Sequence, residues 1–211
     1  MVRKYVTGFA LALLLVASGM ASADEKDPHA KHRAMMNHKT PEPEAELFSD
    51  IDLKNELLLN QDGEQVRFVD DVIGDRIVVM DFVYTTCTTV CPVLTALFTQ
   101  VQTRLDNDLG NDVAMISMTV DATRDTPPRL KAYATKHRVQ PGWIWLTGPK
   151  PTMDSVLTGL GAFTVSFEDH PAMVIVGDGR TGEWKRMFGF PNPDRIMKVV
   201  EEFKAKRQAG G

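Results

Sequence analysis

The chain has 211 residues, of which 43% are hydrophobic and 25% charged, with a formal net charge of −4. That length holds one ordinary domain and a tail, and a net-acidic balance gives no support for nucleic-acid binding, which needs a basic surface. There are only two cysteines, Cys87 and Cys91.

Residues 1–23 read as an export signal. Arg3 and Lys4 supply a positive start, residues 9–16 are apolar throughout, and Ala21-Ser22-Ala23 has the small-x-small form of a cleavage site. The apolar run is short for a membrane span, so the expected product is a soluble periplasmic protein. An uncleaved anchor in the inner membrane, facing the periplasm, is the alternative. Either way both thiols enter an oxidising compartment, where a lone pair becomes a disulfide unless it is reduced or metallated.

Residues 24–46 are polar and proline-spotted without apolar periodicity, the pattern of a flexible leader. His29, His32, Met35, Met36 and His38 cluster within it. Imidazoles and thioethers both bind copper, so this stretch is a candidate recruitment site; an incidental His-rich linker has the same composition. The folded domain is expected over residues 47–204. Two short apolar runs, 56–59 and 65–69, flank Asp62-Gly63 and predict a hairpin. Residues 77–83 are nearly all apolar or β-branched and predict a central strand. Asp81 interrupts that strand. A buried carboxylate there would raise a thiol pKa or relay protons, unless it sits at the wetter end of the sheet.

The strand runs straight into Thr85-Thr86-Cys87-Thr88-Thr89-Val90-Cys91-Pro92. Apolar residues then recur at helical spacing to about residue 108, with Pro92 fitting the first turn. That boundary puts Cys91 at the helix cap and Cys87 in the loop before it. Cysteines four apart can meet each other or one ion. Three uses follow: a disulfide exchanged with partners, a soft-metal site chiefly suited to Cu(I), or a structural staple. The staple is the weakest of these, because so small a loop removes little entropy from the unfolded chain.

Residues 113–120 predict a second strand, parallel to the first. It ends in Asp121-Ala-Thr-Arg124-Asp125-Thr-Pro-Pro128, a loop and helix start in which Arg124 and Asp125 either brace the loop by charge pairing or cap the helix. His137 reads as a helix-end residue. Further elements are expected at 141–146 (strand), 152–160 (helix), 172–176 and 183–188 (strands) and 193–204 (helix), with residues 205–211 fraying. His170 precedes the 172–176 strand, next to Asp169. It is either a satisfied polar residue at a sheet end or a third ligand beside the thiols. In the second case Asp169 is positioned to fix its tautomer.

With these residues in view, the chain resembles the Sco/SenC family of copper-binding, thioredoxin-fold proteins over about residues 53–203. The resemblance rests on residues 82–92, on Thr119-Val-Asp121 with Arg124-Asp125-Thr126-Pro127, and on Asp169-His170. It implies an α/β fold: a thioredoxin-like, central mixed sheet flanked by helices, with an added N-terminal hairpin. It implies copper, as Cu(I) or Cu(II), held by Cys87, Cys91 and His170, with Asp169, Asp121, Arg124 and Asp125 in support. The implied partners are a copper-receiving subunit of cytochrome c oxidase or another copper chaperone, and a thiol reductant. Some members look more like general thiol reductases, so the cysteines are also a candidate catalytic redox pair. One departure stands out: Pro171 follows the histidine where the family commonly has serine or threonine. Its place just before a strand raises the hypothesis of a cis peptide bond, as in thioredoxins.

Overall fold

Strand β4, Ile77–Val83, lies at the centre of the sheet because its sequence has no solvent-facing side. All seven of its residues are buried, as expected for a strand covered on both faces. The computed structural model describes residues 46–48 and 51–210; the export signal and almost all of the His/Met leader fall outside them. An eight-stranded mixed sheet runs in the order β1-β8-β7-β4-β5-β6-β2-β3. Its strands are β1 Glu46–Phe48, β2 Leu57–Asn60, β3 Gln65–Arg67, β4, β5 Val113–Thr119, β6 Trp143–Thr147, β7 Met173–Asp178 and β8 Glu183–Phe188. β4, β5 and β6 are mutually parallel, and β7 and β8 are antiparallel to their neighbours.

Among the described residues four α-helices cover the sheet: α1 Val90–Leu105, α2 Pro127–Lys136, α3 Lys150–Gly159 and α4 Pro193–Ala209. Alternation along β4 divides the core. Ile77, Val79 and Val83 pack with Leu94 and Phe98 of α1 and Ile196, Val200 and Phe203 of α4. Val78, Met80 and Phe82 pack on the other face with Met153, Val156 and Leu157 of α3. The crossovers β4-α1-β5 and β5-α2-β6 both start at the carboxyl ends of parallel strands, the end where open α/β sheets place their sites.

The hairpin forms at Asp62-Gly63, where Gly63 takes φ 84° and the Asn60 side chain accepts the backbone N–H groups of Asp62 and Glu64. Its second strand stops at Arg67, earlier than expected, because residues Phe68–Ile73 wind into a π-helical turn that buries Phe68, Val72 and Ile73. The last helix overruns its expected end at 204 and holds together to Ala209. Arg207 is the reason: it forks onto the buried carboxylate of Asp178, at 2.8 and 2.6 Å. Gly177 on β7 leaves space for Trp184 on β8, whose ring would lie 1.9 Å from any Cβ there.

Asp81 faces α1 in a sheet row with Val174, Ser117 and Trp145. It is fully buried rather than at a wet edge. Ser117 donates to its Oδ1 at 2.6 Å and in turn accepts from Trp143 Nε1 at 2.9 Å; Oδ2 has no partner. Burial pushes its pKa up to about 7, against the pull of the Ser117 hydrogen bond. The stability this group contributes is therefore fully present near pH 4 and is lost as pH rises through 7. Asp81→Asn should accordingly gain stability over the native chain between pH 4 and pH 7.5, by up to a few kcal/mol in urea unfolding. A pH-independent difference would refute the buried-carboxylate account.

Candidate metal centre

The site is built where β4 hands over to α1. Helix α1 begins at Val90, two residues before Pro92, with Thr89 as its N-cap residue. Cys91 is thus inside the first turn rather than at the cap. Proline is tolerated throughout that turn because the first N–H groups of a helix have no intrahelical acceptor. One of these otherwise unpaired groups is used: the Cys91 N–H donates to Cys87 Sγ at 3.2 Å. Both cysteines are free thiols, 6% and 3% exposed.

The two thiols have opposite acidities. Burial raises the Cys87 pKa, but hydrogen bonds from the Cys91 thiol, from the backbone N–H groups of Cys91 and Thr89 and from the Tyr84 hydroxyl outweigh it, so that it falls to about 7. This is the helix N-terminus stabilising a thiolate. Burial, the Cys87 sulfur and the Asp81 carboxylate together push the Cys91 thiol far up. The bond to Cys87 in turn raises the Tyr84 hydroxyl to about 12.

The loop before α1 is held from beneath by Asp125. Its buried carboxylate accepts the Thr85 N–H at 3.0 Å, the Thr85 hydroxyl at 2.5 Å and the Thr119 hydroxyl at 2.7 Å. One side chain thereby ties the cysteine loop, the end of β5 and the approach to α2. The predicted brace forms with different partners than Arg124 and Asp125 together. Arg124 instead pairs with Asp121 at 3.0 Å and lies 5.2 Å above the Phe167 ring. Phe167 meets Tyr84 edge-on at 5.0 Å, which links the Asp121 loop to the loop carrying His170. His137 caps the end of α2, as expected.

His170 follows a short 3-10 turn, Phe167–Asp169, and its ring packs 5.2 Å from Phe82. Burial lowers its pKa to about 4, although the carbonyls of Pro171 and Ala162 favour a ring proton. Its Nε2 is buried with no hydrogen-bond partner. A neutral ring keeps a lone pair on one of its two nitrogens. Asp169 is exposed and makes no hydrogen bond to the imidazole among the described residues, which corrects its expected role. The His170–Pro171 bond is trans, since no cis bond occurs among the described residues.

His170 and Cys91 line one cavity of about 60 Å³, with Tyr84, Val120 and Ala172 among its walls. Cys87 adjoins it through Cys91. Among the described residues no three His, Cys, Asp or Glu side chains stand close enough to hold an ion as placed. The donor set nevertheless suits a soft cation: two sulfurs, and a neutral imidazole whose Nε2 is buried and unpartnered. His29, His32, Met35, Met36 and His38 lie outside the described residues. Sequence reasoning missed Tyr84 and Phe167, whose only signal was aromatic character close to Cys87 and His170.

The model of the SCO1/SenC family matches residues 53–206. The SCO1 protein homolog of Bacillus subtilis (strain 168) is 36% identical over 90 residues, which is 42% of this chain and 45% of that protein. The match thus spans under half the length of that relative. Among solved structures, BsSco, described as a member of the Sco family of cytochrome c oxidase assembly proteins with a disulfide switch, aligns with TM-score 0.62 at 25% identity, covering 73% of this chain and 94% of its own. Bradyrhizobium japonicum ScoI with copper bound aligns with TM-score 0.55 at 26% identity, covering 69% and 95%. A SCO1/SenC family lipoprotein from Bacillus anthracis str. Ames aligns with TM-score 0.63 at 25% identity, covering 74% and 95%. The mixed, helix-flanked sheet is the thioredoxin-like fold of these proteins, and the chain belongs to the SCO1/SenC family.

Proposed function

We propose that this protein is an exported copper chaperone that binds one copper ion through Cys87, Cys91 and His170 and delivers it to the binuclear copper centre of cytochrome c oxidase. The observation that carries this reading is the imidazole Nε2, buried without a partner in the wall of a cavity shared with Cys91. A buried, unsatisfied acceptor of this kind calls for a ligand. Two thiolates and one neutral imidazole suit three-coordinate Cu(I), and an oxidised ion would add solvent or a carboxylate. Loading closes the imidazole onto the sulfurs from across the cavity. Release follows by ligand exchange with partner sulfurs that bind more tightly. Copper seen in the related Bradyrhizobium japonicum structure supports the same cargo here.

Residues 1–23 direct the chain to the periplasm in this reading, by cleavage or as an anchor. Among the described residues no helix is long and apolar enough to cross a membrane. His29, His32, Met35, Met36 and His38 would collect copper and pass it to the thiols. A thiol reductant is needed, because only the dithiol binds the ion.

The opposed acidities of the thiols favour a second role as a thiol–disulfide oxidoreductase. Cys87 thiolate attacks a partner disulfide, forming a mixed disulfide and releasing one partner thiolate. Cys91 then loses its proton and attacks the Cys87 sulfur, releasing the second partner thiolate. The partner gains two electrons and the Cys87–Cys91 pair loses them.

Anaerobic Cu(I) titration of the reduced protein against a competing chelator tests the chaperone. Tight one-to-one binding should be abolished by Cys87→Ser and by Cys91→Ser, and weakened about 10- to 100-fold or more by His170→Ala; unchanged affinity in the last variant sinks the three-ligand site. Asp125→Ala should lower copper affinity about 10- to 100-fold by releasing Thr85, while Cys87 remains present. Alkylation of the copper-free dithiol should be faster at Cys87, with a rate that rises through a midpoint near pH 7. Cys91 should stay unmodified until far higher pH. Equal reactivity of the two thiols would remove the asymmetry on which the oxidoreductase reading depends.

A further inference from the structure

Charge is sparse in the segments that carry the site, apart from Glu168, which lines the cavity shared by Cys91 and His170. No charged residue occurs between Asp81 and Arg104, between Asp154 and Glu168, or between Arg186 and Asp194, in a chain that is 25% charged overall. Those three stretches carry five of the six large apolar side chains exposed among the described residues: Val93, Phe163, Val165, Phe188 and Phe190. Val93 is two residues beyond Cys91. Phe163 and Val165 lie on the loop leading to His170. Phe188 and Phe190 flank Gly189, whose N–H donates to Ala172 O at 2.8 Å, and Ala172 lines the cavity that Cys91 and His170 share. Val165 is 99% exposed, an arrangement folding alone does not require.

Beside that cavity lies a groove of about 300 Å³ between the Asp121 loop, α3 and the loop before His170. Val120 forms part of both. Met153, Leu157, Phe163 and Val165 supply apolar wall. The groove also holds two acid–base pairs, Lys150 with Asp154 at 2.5 Å and Arg124 with Asp121 at 3.0 Å. Each charge there is matched by its neighbour, so the groove presents little field to a charged ligand. Exposed apolar surface continuous with a reactive centre marks a protein contact.

We propose that this groove docks the thiol-bearing protein partner: an uncharged, apolar segment flanking the partner's cysteines lays a side chain between α3 and the 161–167 loop while its sulfur faces Cys87. The occupant follows from the matched charges and from the Val120 wall held in common with the thiol–imidazole cavity. The inference rests on the proposed exchange at Cys87 and Cys91 and adds the feature by which a partner is chosen.

The test uses the full chain, reduced and copper-free, with synthetic peptides that carry a Cys-x-x-x-Cys disulfide flanked by Phe-Val, by Glu-Asp or by Lys-Arg. Serine versions of the same peptides, unable to exchange, report binding alone. The apolar serine peptide should bind at least about tenfold more tightly than either charged one, and equally well up to about 0.5 M salt. Val165→Asp and Phe163→Asp should each remove that preference, while exchange with glutathione disulfide keeps its native rate. Equal binding of all three peptides, preference for a charged one, or a preference that survives both variants overturns the proposal. A native dimer abolished by Val165→Asp would also overturn it, since the face would then serve a second copy. Selective binding without any disulfide exchange leaves the groove standing and removes the redox reading instead.

Discussion

A helix must leave its first N–H groups without intrahelical acceptors, and here one of them is aimed at a sulfur. The Cys91 N–H reaches Cys87 Sγ at 3.2 Å, and the Thr89 N–H acts on the same atom. Together with the Cys91 thiol, whose hydrogen bond is the largest of the lowering causes, these N–H groups make Cys87 acidic, while burial and the Cys87 sulfur raise Cys91. The Cys91 N–H contact exists because the short loop 84–89 between β4 and α1 brings Cys87 Sγ to the first turn of the helix. The chemistry proposed for the chain, whether ligation or exchange, begins from that asymmetry.

The asymmetry would be lost if the loop were slack, and a buried carboxylate prevents that. Asp125 takes three hydrogen bonds, two from Thr85 and one from Thr119. Three donors converging on one carboxylate fix the loop more firmly than a single bond would. Through Thr119 the restraint is anchored in a fully buried strand. The motif around residue 125 thus acts through backbone placement more than through the site itself.

The other half of the site arrives by a separate route. His170 enters from the loop between α3 and β7, and its ring sits against Phe82 on the strand that leads to Cys87. Burial keeps it neutral. A neutral imidazole lining a small cavity together with Cys91 is a receptive arrangement for a soft cation.

Much of this was legible along the chain. Strands β4 and β8 and the start of α2 coincide with their sequence expectations, because each carries a complete local signal: an apolar run in β4, and a Pro-Pro helix start in α2. The cysteines were legible as a pair, since a spacing of four is itself local. The start of α1 was not, because proline is acceptable anywhere in a first turn. Nor was the end of α4, where a pairing with Asp178 on a distant strand overrides a polar, weakly helical tail. Asp81 could be recognised as anomalous, but its burial depended on α1 covering it. That Asp125 grips Thr85 and that Val120 joins a groove to the cavity of Cys91 and His170 were decided by tertiary structure alone. Each is a contact between segments far apart in the chain, and residue type and spacing carry no information about which remote partner a side chain will meet.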